Sequence, residues 1–137
     1  MASHDTEALA HRWHLEIVQG GNVDLIAQVL SPDVVIHANG TELRGHEGAG
    51  QLVTALHAAL PDLQITHDEA MVSGNSVAIR WTADATHTGD YFGLPPNGQR
   101  VHFEGVDFLH VANGKLSEIW IAYDNLGAFQ RSGAIPA

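Results

Sequence analysis

Over residues 5–19, Leu9, Trp13 and Ile17 recur at every fourth position, which predicts a helix with one buried stripe. Ser3 or Asp5 can cap its start, and Gly20-Gly21 supplies the positive-φ residues that stop it. Asn22 is placed to cap a short second helix in which Leu25, Ile26, Val29 and Leu30 face inward, until Pro32 ends it. The β-branched Val34-Val35-Ile36 predicts a strand running into a turn at Asn39-Gly40. Leu52, Val53, Leu56 and Leu60 then return to helical period over residues 47–60, a third helix closed by Pro61.

Beyond residue 62 the period changes to two. Leu63, Ile65, His67, Glu69 and Met71 alternate with polar neighbours, Ser73-Gly74-Asn75-Ser76 turns the chain, and Val77-Ala78-Ile79-Arg80-Trp81-Thr82 resumes it. Residues 89–99, with Pro95-Pro96-Asn97-Gly98 among them, read as a loop of the length common in functional lids. Residues 101–111 and 116–124 form a hairpin about Asn113-Gly114. Helix, helix, strand, helix and an antiparallel meander define an α+β plan, with helices gathered on one face of a curved sheet. Such a sheet and its helices can enclose an apolar cone, where a small molecule would sit.

The hairpin decides which side chains see that cone. Val101, Phe103, Gly105, Asp107, Leu109 and Val111 share one face of their strand, apolar apart from one carboxylate. On the returning strand Ser117, Ile119, Ile121 and Tyr123 alternate with Leu116, Glu118, Trp120, Ala122 and Asp124. A two-residue Asn113-Gly114 turn places Asp107 opposite Trp120, with Asp124 on the same face. A three-residue turn with a glycine bulge places it opposite Ile119, beside Ile121 and Tyr123; this register is favoured because it joins apolar to apolar. In both, Asp107 is either a packing carboxylate satisfied by hydrogen bonds or a desolvated acid able to exchange a proton near neutrality, and desolvation favours the acid. On the other face Val106 and Phe108 stand among His102, Glu104 and His110, a polar-rimmed apolar centre that predicts a homodimer joined through the outer sheet faces.

At 137 residues the chain is one domain, 1–137, and its 45% hydrophobic and 16% charged residues are those of a globular protein. Six Lys+Arg against 16 Asp+Glu leave a net charge of −10, which argues against nucleic-acid or anionic-membrane partners. The absence of Cys removes disulfides, thiolate nucleophiles and iron–sulfur clusters. No run approaches the about 18 apolar residues of a membrane span, and residues 1–10 carry no basic-then-apolar signal, so a cytoplasmic location is expected. His11 and His14 have chelating spacing on a helix but no accompanying ligand set, so no metal is expected. Gly45-His46-Glu47-Gly48-Ala49-Gly50 lacks the Lys-Ser/Thr of a phosphate loop and reads as a cap for the third helix.

His87-Thr88-Gly89, Gly93-Leu94-Pro95-Pro96-Asn97-Gly98, Gly105-Val106-Asp107-Phe108, Asn113-Gly114-Lys115-Leu116-Ser117-Glu118-Ile119-Trp120 and Asp124-Asn125-Leu126-Gly127 together resemble the SnoaL-like polyketide cyclases of the nuclear-transport-factor-2-like superfamily. Ketosteroid isomerases and limonene-epoxide hydrolases belong to the same superfamily. The resemblance implies a cone-shaped α+β barrel of a strongly curved, mostly antiparallel sheet with three N-terminal-half helices on its concave face, usually dimeric, cofactor-free, with an aromatic ligand in the cone. It also implies intramolecular aldol closure of a polyketide ester, begun by an Asp base on the last strand. Here the position of that base is Ile121, and Ile119 replaces the His before it; Asp124 is the alternative base. Asp107 falls where some cyclases have His and the isomerases an Asp that donates to an oxyanion. The isomerase phenol donor falls at or near His14, and its base at Ala38, between His37 and Asn39.

The expected catalytic set is therefore Asp107 with His37 or Asp124, acting without a cofactor. Trp13, His14, Asn39, Trp81, Phe92, Phe103, Ile119, Ile121 and Tyr123 are expected to hold a hydrophobic fused-ring ligand. An epoxide hydrolase or isomerase on the same fold, and a catalytically silent binding module, are the alternatives; the apolar Ile119 and Ile121 favour the last.

Overall fold

The computed structural model describes residues 3–136, and their side chains from Asp5 onward, so a cap by the Ser3 side chain lies outside what is described. Helix α1 (Ser3–His11) runs without a break into a π-helical segment, Arg12–Gln19, with wider i→i+5 turns. Spacings of four suit those turns. Trp13 with Ile17 and His14 with Val18 form two adjacent buried columns, where an α-helix would have buried one stripe. Asn22 acts on the segment before it: its Nδ2 donates to the Glu16 carbonyl at 2.9 Å, and its side chain caps nothing downstream. A single 3₁₀ turn (Val23–Leu25) and α2 (Ile26–Val29) follow. Leu30 already belongs to β1 (Leu30–Ala38), and Pro32 lies inside that strand rather than ending a helix. It occupies the interval between Leu30 and Val35 where the pairing with the strand at Lys115–Tyr123 is interrupted, so its missing N–H breaks no ladder bond.

Asn39 (φ 47°) and Gly40 (φ 90°) turn the chain into β2 (Thr41–Arg44), a short, mostly exposed strand that no apolar alternation announces. Helix α3 (Gly45–Ala59) buries Leu52 and Val53. β3 (Gln64–Ser73), β4 (Ser76–Thr86), β5 (Arg100–Ala112) and β6 (Lys115–Tyr123) complete the sheet, and a further helix, α4 (Asn125–Ser132), closes the chain. The α+β class is as expected, with a fourth helix beyond the three of the N-terminal half. The strand order is β2-β1-β6-β5-β4-β3, antiparallel except for β1 beside β6. The sheet is curved but not closed into the expected barrel; β2 and β3 are its free edges. No helix among the described residues is long and apolar enough to cross a membrane.

Two bulges re-aim side chains. In β3, His67 pairs with Trp81 and Glu69 with Arg80, which leaves Asp68 as the extra residue. The core-facing set therefore switches from Leu63, Ile65 and His67 to Ala70 and Val72, while Met71, expected on the same face as His67, is 70% exposed. In the β5–β6 hairpin the turn is the two-residue Asn113-Gly114, with Ala112 opposite Lys115. A bulge at Ser117 then shifts the register, and Asp107 faces Ile121. Neither expected register holds, because the extra residue sits in the strand and not in the turn. The favoured grouping survives: Asp107 shares its face with Ile119, Ile121 and Tyr123.

The loop between β4 and β5 is pinned to the end of α3, since Thr88 N–H and Gly89 N–H both donate to the Ala59 carbonyl at 3.1 Å. Gly89 permits the approach, as a Cβ there would lie 2.2 Å from the Ala58 carbonyl oxygen. The pinned loop buries Tyr91 at 4% exposure and leaves Phe92 outside.

Candidate active site

The π-helical segment, α3 and the inner face of the sheet line an apolar cavity of about 80 Å³ that opens to one side. Trp13, Leu52, Leu56, Phe103 and Ile121 supply much of its wall. Ala38, Leu52, Tyr91 and Tyr123 also line a wider outer recess that takes in Asn39, Phe92 and Leu126.

Asp107 is the one carboxylate among the described residues lining the cavity, and it is 1% exposed. Its strand neighbours Gly105 and Leu109 offer no donors, and hydrogen-bond partners arrive from two other elements. Trp81 Nε1–H of β4 donates to Oδ1 at 2.8 Å, and His14 Nε2 of the π-helical segment lies 2.7 Å from Oδ2. Gly105 makes the first possible. It pairs with Trp81 across the sheet, and a Cβ there would stand 2.5 Å from the indole ring.

The polar chain continues away from the cavity. His14 Nδ1 lies 2.6 Å from His67 Nε2, His67 Nδ1 lies 3.0 Å from His11 Nδ1, and His11 Nε2 lies 3.3 Å from the Glu7 carboxylate. Partial burial, with His14 and His11 alongside, pulls the His67 pKa down to about 4, so that ring is neutral at pH 7. At the cavity mouth the Tyr91 and Tyr123 hydroxyls bond to each other, and burial pushes both phenols up from their ordinary range. The Trp13 indole N–H has no partner among the described residues.

Seven of the expected residues meet at the cavity: Trp13, His14, Trp81, Phe103, Asp107, Ile121 and Tyr123. Asn39 and Phe92 stand in the outer recess. Three fall elsewhere. His37 is on the other face of β1 from the buried Val34 and Ile36, bonded to Glu118 at 2.8 Å and stacked on Trp120. Asp124 caps α4 through the Gly127 N–H, and Arg131 and that N–H hold its carboxyl below the usual range. Ile119 is wholly buried in the core and does not line the cavity. Alternation along β1 already carried the signal for His37, since Val34 and Ile36 claim the inward positions. The residues that sequence reasoning missed are His67, placed in the right alternation but given no role, and His11, considered only for metal spacing.

The α+β fold places one acid at the wall of an apolar cavity, and comparison with known proteins says which family has this architecture. The SnoaL-like polyketide cyclase family profile matches residues 8–131, and the chain belongs to that family. Among solved structures it is similar to AclR of Streptomyces galilaeus, described as a candidate hydroxylase (28% identity, TM-score 0.83, 99% of this chain and 89% of that one). It is also similar to IdmH of Streptomyces antibioticus, a candidate polyketide cyclase (26% identity, TM-score 0.79, 97% and 99%). A SnoaL-like protein of Jannaschia sp. CCS1 shares the fold at 21% identity, with a TM-score of 0.89 over 98% and 95% of the two chains. No curated protein matches the sequence.

Proposed function

We propose that the protein is a polyketide cyclase-type acid–base enzyme that enolises an aromatic polyketide ester in the cavity without a cofactor. The observation that carries this reading is the Asp107 carboxylate, held between Trp81 and His14 at the wall of an otherwise apolar chamber. Each carboxylate oxygen keeps a lone pair beyond the bond it accepts. Asp107 takes the proton from the carbon between two carbonyls, and the C–H electron pair moves into the enolate. Trp13 N–H is the donor assigned to the enolate oxygen. Carbon–carbon closure by aldol addition turns the acceptor carbonyl into an alkoxide, and the proton on Asp107 returns to it. The family's carboxylate position, Ile121, lies directly opposite Asp107, so on this reading the base has moved to the neighbouring strand. An epoxide hydrolase with paired carboxylates has less support, as no second carboxylate among the described residues lines the cavity.

The test is solvent deuterium exchange into an aryl β-keto ester such as ethyl benzoylacetate, followed by NMR beside a thermal melt. The protein should both accelerate exchange and melt higher with the ester bound. A melting shift without accelerated exchange would leave a silent binding module in its place.

The reading includes a homodimer formed through the outer face of β5 and β6. Val106, Phe108 and Trp120 are 47%, 42% and 39% exposed there, with His37 and His110 packed against the Trp120 ring. Light scattering at micromolar concentration should return twice the 14.7 kDa of one chain, and a single-chain mass refutes the dimer.

A further inference from the structure

Ring closure returns the proton on Asp107 to the product, but exchange of that proton with solvent has no direct route, since Asp107 is 1% exposed and His14 4%. The polar chain behind Asp107 reaches the surface, where the His11 and Glu7 side chains are 40% and 41% exposed. We propose that His67 and His11 relay protons between Asp107 and solvent through His14.

The hydrogen-bond order determines how. Four bonds link five groups, and each bond holds one proton. In one arrangement His11 is a cation: Nε2–H donates to Glu7 and Nδ1–H to His67 Nδ1. His67 Nε2–H then donates to His14 Nδ1, and His14 Nε2–H to the Asp107 carboxylate. In the other, every central proton has crossed its bond. Asp107 carries a proton and donates it to His14 Nε2, His14 Nδ1–H donates to His67 Nε2, His67 Nδ1–H donates to His11 Nδ1, and neutral His11 keeps Nε2–H on Glu7. Both arrangements hold four protons and break no bond between groups. Three N–H or O–H bonds break and three form, and the positive charge on His11 and the negative charge on Asp107 cancel as the shift completes. The separations of 2.6, 2.7 and 3.0 Å are those of direct hydrogen bonds.

A relay needs inner rings that are neutral, each with one donor and one acceptor nitrogen. His67 meets this, being neutral down to about pH 4. The groups facing it are His11 of α1, with Glu7 behind it, His14 from the π-helical segment, Trp81 from β4 and Asp107 from β5. Asp68, Glu69 and Arg80 flank the bulge that follows it. The bulge lets His67 finish one inward run of β3 while Ala70 begins the next. His67 acts through His14 and Asp107 and so is a positioning residue rather than a catalytic one.

The proposal rests on Asp107 as the acid–base group, and two measurements separate its failure from the failure of that reading. The first uses α-deuterated ethyl benzoylacetate with wild type, His67→Gln and His67→Phe. Enolate formation, read by ultraviolet absorbance, should persist in both variants. Loss of label to water should fall at least about tenfold, because the deuteron returns to carbon, and added imidazole should restore it. Equal label loss in the variants and wild type overturns the relay and leaves the enzyme reading intact, and a parallel fall in both readouts marks a merely structural role and also overturns it. The second needs no activity: ¹⁵N NMR of the ring nitrogens in wild type and Asp107→Asn. The Asn oxygen stays with Trp81 N–H and its amide donates to His14, so His14 and His67 should both carry the proton on Nδ1. In wild type the two rings should share one tautomer. Opposite tautomers in either protein overturn the relay; matched tautomers in a protein without exchange activity keep it and remove the proposed function.

Discussion

Asp107→Asn is expected to lower the rate of deuterium exchange into an aryl β-keto ester by about 10²–10⁴-fold, roughly 3–5 kcal/mol of barrier. The substitution is nearly isosteric, and its hydrogen bonds can be kept. Trp81 N–H still finds an oxygen and the new amide faces His14, whose ring can accept, so no buried group loses its partner. The change removes only the ability to take and release a proton. The melting temperature and the ligand-induced melting shift should therefore stay close to those of wild type while kcat falls. Exchange kinetics at saturating ester, with a thermal melt of each protein, check this. Undiminished exchange in a folded variant would mean that the proton goes to another group.

The sequence showed Asp107 through local information alone. Strict alternation on residues 101–111 put one carboxylate among Val101, Phe103, Leu109 and Val111, and that pattern survives an error in turn length because a two-period cannot move a residue to the other face. It could not show the partners of Asp107, which come from 26 and 93 residues away. Trp81 arrives by regular β4–β5 pairing and His14 through the π-helical turns; those turns and two bulges make three departures from ideal geometry around the site, each invisible to a periodic reading. The π-helical turns turn His14 inward beside Trp13, the Asp68 bulge divides β3 after His67, and the Ser117 bulge sets Ile121 opposite Asp107. His37 shows the converse error. Its sequence position beside the isomerase base position favoured it, while the alternation of Val34 and Ile36 already turned it outward.

Ile121→Asp tests that geometry against the family pattern, because it restores a carboxylate where the related cyclases are implied to have one. Position 121 pairs directly with Asp107, which puts the two Cβ atoms about 4.5–5.5 Å apart. Trp81 and His14 already serve Asp107, so the new group meets an apolar wall and a like charge. Two carboxylates so placed resist ionising together, and the folded-state pKa of the new one should rise. At pH 7 the folded protein then pays either for an unpaired buried charge or for holding a proton that the unfolded chain releases. The expected loss is about 3–5 kcal/mol, a fall in Tm on the order of 10 °C. The sign in pH follows from the raised folded pKa: the folded variant binds more protons than its unfolded chain above about pH 4, so its deficit against wild type should narrow as pH falls towards that value. Melts from pH 4 to 8 measure the deficit, and deuterium exchange in the same samples measures the chemistry. A destabilised variant with reduced exchange keeps the base at Asp107. A stable variant with faster exchange would place the base on β6, and the carboxylate held by Trp81 and His14 would then serve to orient those two rings.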